Sequence, residues 1–363
     1  MRCLPLAVLV LLAGCAAAPP PPESDTEAAR DTYRDLQRRA REDLLAWQRD
    51  GGRDPDPRLK WSAELLRFAR TYPASQEAVE ATTAAMGMAA AARDVEGFFA
   101  AYGVMLRIAP DSPELRASLN QVGLMRMVEA GGVGIIKTTD KEAKTRAYRR
   151  AVPRIVSDLE RALEASTDPD TVAAAHYAIG KTYYELDNDL PKALEHFRVV
   201  AQEHADSHHA GSARAYVHEL EDLAVGKPAP DFSALTLDGG EIALSSLRGK
   251  VVLLDFWATW CQPCIDEMPS LRSAYDRWHD QGFDIIGVNM DDDLEQVRRF
   301  VMEHELPWTV VAAGKGMFDP LSLEYSVQAI PMSYLIDREG TIRDRALFGD
   351  DVIRAVSRLI HDR

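Results

Sequence analysis

The segment Lys250–Pro269 reads KVVLLDFWATWCQPCIDEMP and joins two patterns of different kind. Its first half is a continuous apolar run rich in β-branched and aromatic residues, which is typical of a strand buried on both faces of a parallel or mixed sheet. Its second half is predicted to be a helix that begins at Cys261 and carries Cys264 one turn later. Because the N-terminal end of a helix stabilises a thiolate, this placement indicates a redox-active cysteine pair.

A CxxC pair also occurs as half of a zinc site, which needs two further ligands. The chain has four cysteines, and the other two, Cys3 and Cys15, lie near the N-terminus and form no second CxxC pair. The cysteine pattern therefore favours disulfide exchange by Cys261 and Cys264, without a metal or another cofactor.

Strand and helix patterns alternate after residue 230, which predicts a central sheet flanked by helices. Residues 226–363 resemble the thioredoxin superfamily, and more closely its membrane-anchored, extracytoplasmic TlpA/ResA-like thiol:disulfide oxidoreductases. The resemblance implies an α/β thioredoxin fold for this part of the chain, with Pro331 as a cis proline that faces the cysteine pair. Four motifs carry it: APDF at 229–232, LDG at 237–239, GKVVLLDFWATWCQPC at 249–264 and IPMSYLID at 330–337.

The resemblance also implies roles around the cysteines, with Cys261 as the exposed nucleophile and Cys264 as the shielded resolving thiol. Asp255 occupies the position of the buried aspartate of thioredoxins, and Glu267 that of a glutamate in ResA-like proteins. Both are candidates to take the proton from the resolving thiol, because burial raises the pKa of a carboxyl toward neutrality. The lysine that accompanies the aspartate in thioredoxins is replaced by Gly287.

Substrate is expected to contact the residues that flank the cysteines and the cis proline. The backbone at Pro331 should pair with an extended substrate segment in the manner of a strand. The predicted substrate-binding residues are Trp260, Gln262, Pro263 and Ile330.

The N-terminal sequence MRCLPLAVLVLLAGC is typical of an export signal, and its apolar run is too short to span a bilayer. Its ending, LAGC, resembles the bacterial lipobox, which implies a signal peptide at 1–14 and lipid on Cys15. Ala16 after the lipid-bearing cysteine favours the outer membrane. Residues 15–25 are predicted to be a proline-rich tether. The alternative to the lipobox is an ordinary cleaved signal, in which Cys15 carries no lipid.

Residues 26–225 carry apolar side chains at three- and four-residue spacing, which predicts an all-α part of the chain. The segment 176–207 resembles a tetratricopeptide repeat, so we interpret this part as an α-solenoid of helix pairs that recruits a protein partner. A generic helical bundle is the alternative. Residues 131–144, GGVGIIKTTDKEAK, interrupt the pattern and are predicted to form a long loop. The helical part ends at the Gly-Lys-Pro-Ala-Pro segment 226–230.

Two polar clusters invite a metal interpretation. Asp291–Asp293 precedes a predicted helix at 294–305, where carboxylates usually cap the helix rather than bind calcium. His204, His208 and His209 lie in a polar turn and are interpreted as exposed side chains. Neither cluster is assigned a metal.

Charge and resemblance together define a function. The net charge of −15 over 363 residues argues against nucleic-acid binding and electrostatic membrane binding, which leaves the lipid as the anchor. We expect an extracytoplasmic enzyme that reduces disulfides of exported proteins, such as apocytochrome c or copper-site proteins, and takes electrons from a membrane thiol donor. Two classes remain open as alternatives. One is a peroxiredoxin-like thiol peroxidase, and the other is a tetratricopeptide-type binding protein with a vestigial redox domain.

Overall fold

The computed structural model describes residues 23–137 and 141–362. The predicted signal peptide and the lipidation site at Cys15 lie outside the described residues. The chain divides into two compact units between Asn188 and Asp189, and each has its own hydrophobic core. This division precedes the predicted boundary at 225/226, which remains a prediction of where the thioredoxin-like sequence begins.

The N-terminal unit is helical in its described residues, as predicted. Its helices are α1 (Glu23–Arg49), α2 (Pro57–Thr71), α3 (Gln76–Ala92), α4 (Val95–Ile108), α5 (Pro113–Lys137), α6 (Lys141–Ala165) and α7 (Pro169–Thr182). Several begin after a side chain that accepts a hydrogen bond from a backbone N–H of the first turn, which stabilises a helix start. These capping residues are Asp56, Ser75, Asp94 and Asp168. Because α1 begins at Glu23, the last residues of the predicted tether are helical.

The prediction of a long loop at 131–144 is wrong. Helix α5 continues to Lys137 and α6 begins at Lys141. Each glycine in this stretch costs about 1 kcal/mol of helix propensity relative to alanine. Extending an existing helix needs no new nucleus, however, so the helix continues through the glycines.

Both segments predicted to be helical within 176–207 are helices, α7 and α8 (Leu190–Glu203). A five-residue π-helix, Tyr183–Asp187, follows α7. The two helices belong to different compact units. The arrangement of helix pairs as a solenoid therefore stays a prediction.

The C-terminal unit contains α8 and then alternates strands with helices. After α8 its helices are α9 (Ala210–Glu221), α10 (Gln262–Trp278), α11 (Leu294–Glu303), α12 (Pro320–Glu324) and α13 (Asp350–His361). Its strands are β1 (Ser233–Leu235), β2 (Glu241–Ala243), β3 (Val251–Trp257), β4 (Phe283–Asn289), β5 (Thr309–Val311), β6 (Met332–Ile336) and β7 (Ile342–Arg345). Strands β1 and β2 form an antiparallel hairpin of their own.

The five other strands form one mixed sheet in the order β5-β4-β3-β6-β7. Strands β3, β4 and β5 are parallel, whereas β6 and β7 run antiparallel to their neighbours. The central strand β3 is buried at all seven positions, as its continuous apolar sequence predicts. In the sheet register, Asp255 of β3 lies between Gly287 of β4 and Ser333 of β6. The α/β thioredoxin fold predicted for this part is confirmed.

Helix α9 packs on the far edge of this sheet. The carboxylate of Glu219 accepts a hydrogen bond from Arg345 Nη1 of β7 at 2.5 Å, and the two side chains are only 6% and 16% exposed. On the same helix, the Nε2 atom of His218 lies 3.0 Å from the backbone carbonyl oxygen of Glu324. These contacts place α9 in the same compact unit as the sheet, although its sequence belongs to the predicted helical part.

Candidate active site

The two redox cysteines occupy the start of α10. Cys261 is the N-cap residue, and its sulfur accepts a hydrogen bond from the backbone N–H of Cys264 at 3.3 Å. The two sulfurs are joined by a disulfide. The side chains are 5% and 3% exposed, so Cys261 is not the exposed residue that we expected. In the disulfide its sulfur is bonded to that of the buried Cys264.

Exposed residues adjoin the buried cysteines in the chain. Trp260, 61% exposed, precedes it, and Gln262 and Pro263 between the cysteines are also exposed. Ile330 and Pro331 are half-buried and joined by a cis peptide bond, as the resemblance implies. The residues predicted to bind substrate are therefore accessible.

Asp255 lies in the buried centre of β3 and is 5% exposed. Burial raises its pKa from an ordinary 3.8 to about 7, and the nearby charge of Glu267 adds to this effect. A carboxyl with this pKa exchanges protons near neutral pH. The sequence-based expectation of a raised pKa for this residue agrees with the structure.

Glu267 lies on α10, three residues after Cys264, and is half-buried. Burial raises its pKa to about 7, although a hydrogen bond from the backbone N–H of Gly349 acts in the opposite direction. Gly349 is the N-cap residue of α13 and has a φ of 55°, which favours glycine. Since the charge of Glu267 acts on Asp255, the two carboxyls form an interacting pair.

The position at which thioredoxins carry a lysine has no room for one here. A Cβ built on Gly287 would lie 2.9 Å from the indole Nε1 of Trp257 and 3.3 Å from that of Trp308. Both indoles are buried, and their N–H groups have no hydrogen-bond partner among the described residues. The neighbour of Asp255 on β4 is therefore a glycine enclosed by two neutral rings, and no cation can extend from it.

The prediction that Asp291–Asp293 cap a helix is only partly right. Asp293 caps α11 by accepting hydrogen bonds from the backbone N–H groups of Glu295 and Gln296 at 2.9 and 3.3 Å. Asp291 is instead buried and bonded to the loop that precedes Cys261. Sequence reasoning missed this contact, because a run of three carboxylates before a helix carries no signal that separates the first from the third.

The three histidines of the predicted turn differ in exposure in the part of the chain that the structure describes: His208 is exposed, and His204 and His209 are half-buried. His208 and His209 contact each other edge to face, with ring centres 5.5 Å apart. No group of three or more His, Cys, Asp or Glu side chains there has a geometry that could hold a metal ion.

Part of the chain is similar to known proteins. A model of the AhpC/TSA family matches residues 225–345. The chain is 35% identical over 134 residues to a thiol-disulfide oxidoreductase ResA of Bacillus cereus, which covers 37% of this chain and 76% of that protein. It is 36% identical over 134 residues to the thioredoxin-like protein YneN of Bacillus subtilis, which covers 36% of this chain and 76% of that protein. The chain belongs to the ResA-like thiol-disulfide oxidoreductases.

Part of the chain is also similar in sequence to proteins of solved structure. The thioredoxin domain of a thiol-disulfide oxidoreductase from Bacteroides vulgatus is 32% identical, with 38% of this chain and 99% of that chain covered and a TM-score of 0.36. A thiol:disulfide interchange protein from Bacteroides sp. is 31% identical, with 38% and 91% covered and a TM-score of 0.35.

The surroundings of the Cys261–Cys264 disulfide suit disulfide exchange. One sulfur caps a helix, which favours its thiolate. Two carboxyls that titrate near neutrality lie in the same region of the fold. Disulfide exchange requires proton removal from the second thiol, and a carboxyl with such a pKa performs it well.

Proposed function

We propose that this thiol-disulfide oxidoreductase is a lipid-anchored, extracytoplasmic reductase of disulfides in exported proteins. The observation that carries the proposal is a helix-capping Cys261 combined with two carboxyls, Asp255 and Glu267, whose pKa values are both raised to about 7. This combination suits a dithiol that must be deprotonated in two successive steps at neutral pH.

In the first step the thiolate of Cys261 attacks one sulfur of a substrate disulfide. The substrate S–S bond breaks, one substrate sulfur leaves as a thiolate and takes up a proton, and a mixed disulfide with Cys261 remains. The backbone N–H of Cys264, which donates to this sulfur in the structure, stabilises the attacking thiolate. Substrate backbone pairs with the segment at Ile330 and Pro331, and Trp260, Gln262 and Pro263 contact its side chains.

In the second step Cys264 loses its proton to one of the carboxyls and attacks the sulfur of Cys261. The mixed disulfide breaks, the second substrate thiolate leaves, and the Cys261–Cys264 disulfide forms. The substrate gains two electrons and two protons, and the protein dithiol loses them. Asp255 and Glu267 share the proton transfer, directly or through one water. A membrane thiol donor then returns the electrons.

The reducing direction is supported by the resemblance, since Ile330 before the cis proline is the residue that thioredoxins carry there. Candidate substrates are apocytochrome c and copper-site proteins.

Lipid on Cys15, on the periplasmic face of the outer membrane, holds the enzyme at the membrane surface. The N-terminal helical unit recruits a protein partner. No helix among the described residues is long and apolar enough to cross a membrane.

Two assays with the full mature chain separate this proposal from its alternatives. The reductase should reduce insulin with a dithiol donor and should consume hydrogen peroxide poorly. The Cys264→Ser variant, which lacks the resolving thiol, should retain the substrate as a mixed disulfide on Cys261. Peroxide consumption without insulin reduction would instead identify a thiol peroxidase, and the absence of both activities would identify a binding protein. Equilibration with glutathione tests the direction of the reaction. If Cys261 and Cys264 stay reduced at mildly oxidising glutathione ratios, the enzyme is an oxidase or isomerase.

A further inference from the structure

A buried carboxylate is bonded to the loop that leads into the redox-active helix. Asp291 follows the end of β4, and Thr259 follows the end of β3. The two strands are parallel neighbours whose last residues, Trp257 and Asn289, are paired. One more backbone hydrogen bond, from the N–H of Met290 to the carbonyl of Trp257 at 2.8 Å, extends the pairing. Both loops therefore leave the sheet on the same side, at the C-terminal ends of β3 and β4.

The carboxylate of Asp291 accepts three hydrogen bonds. The backbone N–H of Thr259 donates to it at 2.9 Å, the Thr259 hydroxyl at 2.5 Å and the side-chain amide of Asn289 at 2.7 Å. The side-chain oxygen Oδ1 of Asn289 in turn accepts a hydrogen bond from the backbone N–H of Asp291 at 3.0 Å. Asp291 is 3% exposed and Asn289 is 1% exposed. Three hydrogen bonds from two residues therefore hold this carboxyl group in place.

A fourth group completes the network from α11. The side-chain amide of Gln296 donates to the Thr259 hydroxyl at 2.7 Å, so this hydroxyl both donates and accepts. The capping of α11 is performed by Asp293 alone. Burial of a carboxylate destabilises the folded state unless protein groups donate hydrogen bonds to its oxygens. Asp291 makes its hydrogen bonds to Thr259 in the loop after β3 and to Asn289 at the end of β4, rather than to the helix that follows it.

Thr259, the residue bonded to Asp291, lies two positions before Cys261. A backbone hydrogen bond from the N–H of Cys261 to the carbonyl of Ala258 at 3.2 Å closes the turn that contains Thr259 and the exposed Trp260. The turn is thus held by β3 at its start, by Asp291 at its middle and by α10 at its end. Neither the pairing of the sheet strands nor the start of α11 requires the hydrogen bonds that Asp291 makes to Thr259.

We propose that Asp291 is a positioning residue for disulfide exchange, which acts through Thr259 to hold Cys261 at the N-terminus of α10. The clamp formed by Asp291, Thr259 and Asn289 keeps the reduced sulfur where the N–H of Cys264 stabilises its thiolate. Misplacement of a reacting group by about 1 Å can cost on the order of 100-fold in rate. The proposal rests on Cys261 as the attacking thiol of the function proposed above.

The test uses the full mature chain with single substitutions. Thr259→Val removes the hydroxyl while it keeps the shape, the backbone N–H and the charge of Asp291. Thr259→Ser restores a hydroxyl. Asp291→Asn removes the charged acceptor, and Asp292→Asn is its matched control, because it changes the charge equally at an exposed neighbour. The probe is a small aromatic disulfide, which reacts with the reduced Cys261 without protein docking and whatever the physiological direction of the enzyme.

We expect Thr259→Val to lower the second-order rate of this reaction about tenfold or more. Thr259→Ser and Asp292→Asn should stay within about twofold of the parent. The double variant Thr259→Val/Asp291→Asn should be no slower than the slower single variant, because both changes release the same loop. The glutathione equilibrium of Thr259→Val should shift toward the disulfide, since the loosened loop stabilises the thiolate less.

Three results would overturn the proposal. They are a parent-like rate in Thr259→Val, a rate in Thr259→Ser as low as in Thr259→Val, or an equal loss in Asp292→Asn and Asp291→Asn. Thermal unfolding of each variant, measured in parallel, identifies any that does not fold. If Asp291→Asn is such a variant, the comparison of Val with Ser at position 259 still decides. Reduction of insulin by the parent is scored separately and tests only the proposed function.

Discussion

Glu219 of α9, which is buried, and Arg345 of β7, whose side chain is 16% exposed, form an ion pair between residues that are 126 positions apart in the chain. The sequence places α9 in the helical part, but this pair attaches it to the edge of the redox sheet. Removal of one partner of a buried ion pair leaves an uncompensated charge, at a cost of roughly 3–5 kcal/mol. The redox unit is therefore expected to extend from residue 189 rather than from residue 226.

We accordingly predict that a fragment of residues 189–363 reduces insulin as well as the full chain and unfolds cooperatively. A fragment of 226–363 should be several kcal/mol less stable, because Arg345 loses its partner and a sheet edge is uncovered. Urea unfolding of both fragments is the measurement. Equal stability of the two would show that α8 and α9 contribute nothing to the unit.

The ion pair itself is tested by Glu219→Gln in the full chain, with an expected loss on the order of 3 kcal/mol in the unfolding free energy. Glu221→Gln is the matched control on the same helix. Glu221 pairs with Arg198 at partly exposed positions, and such pairs are worth about 0–1 kcal/mol. Similar losses in the two variants would contradict the assignment of a special role to Glu219.

The proton transfer at Cys264 should depend on both carboxyls. With pKa values of about 7, Asp255 and Glu267 are mostly protonated at pH 6 and mostly ionised at pH 8. Only the ionised form accepts a proton, so the resolution of the mixed disulfide should accelerate as the pH rises through 7. Asp255→Asn and Glu267→Gln should each slow this step near pH 7, and the double variant should slow it further. Attack by Cys261 should change less.

Stopped-flow measurement of the two steps across pH is the appropriate experiment. Asp276→Asn, an exposed substitution on α10, is the control and should leave both steps unchanged. Unchanged resolution in the double variant would remove both carboxyls from the mechanism.

Burial of Asp255 also predicts how the stability of the oxidised protein depends on pH. Its folded-state pKa is raised from 3.8 to about 7, so between pH 4 and 7 the folded protein retains a proton that the unfolded chain has released. Stability contributed by this group therefore falls as the pH rises across that window, and the fall amounts to a few kcal/mol at about 1.4 kcal/mol per pH unit. Asp255→Asn should lose less stability than the parent between pH 4 and 8 in urea unfolding. Parallel curves would show that Asp255 is ionised in the folded protein.

Gly287 should accept no side chain. An alanine Cβ at this position would lie 2.9 Å from Trp257 Nε1 and would require an indole to move. Overpacking of this kind typically costs about 1–3 kcal/mol, so Gly287→Ala should lower the unfolding free energy by that amount. Gly211→Ala in α9, where a Cβ meets nothing within 4 Å, should be neutral or stabilising. Loss of stability in both would point to a general effect of the substitution.

Lipid on Cys15 should be the membrane anchor. The acidic chain offers no electrostatic attachment to anionic lipid, so Cys15→Ser should release the protein into the soluble fraction. Fractionation after a salt wash, with the parent as control, measures this. Retention of the variant at the membrane would contradict the lipoprotein assignment.

The sequence by itself determined the redox fold and the identity of its reactive pair, because these depend on local patterns. The apolar run of β3 predicted its complete burial, the CxxC spacing placed Cys261 and Cys264 on one helix turn, and an aspartate in such a strand predicted a raised pKa. Helix and strand periods extend over neighbouring residues and need no knowledge of distant contacts.

The tertiary structure alone decided which residues meet across the sheet and which helices share a compact unit with it. The enclosure of Gly287 depends on Trp257 and Trp308, which lie far from it in the chain. The difference between Asp291 and Asp293 depends on how the loops of β3 and β4 meet at one sheet edge. Such contacts join residues far apart in the chain, and side-chain type and spacing do not encode the register that brings them together.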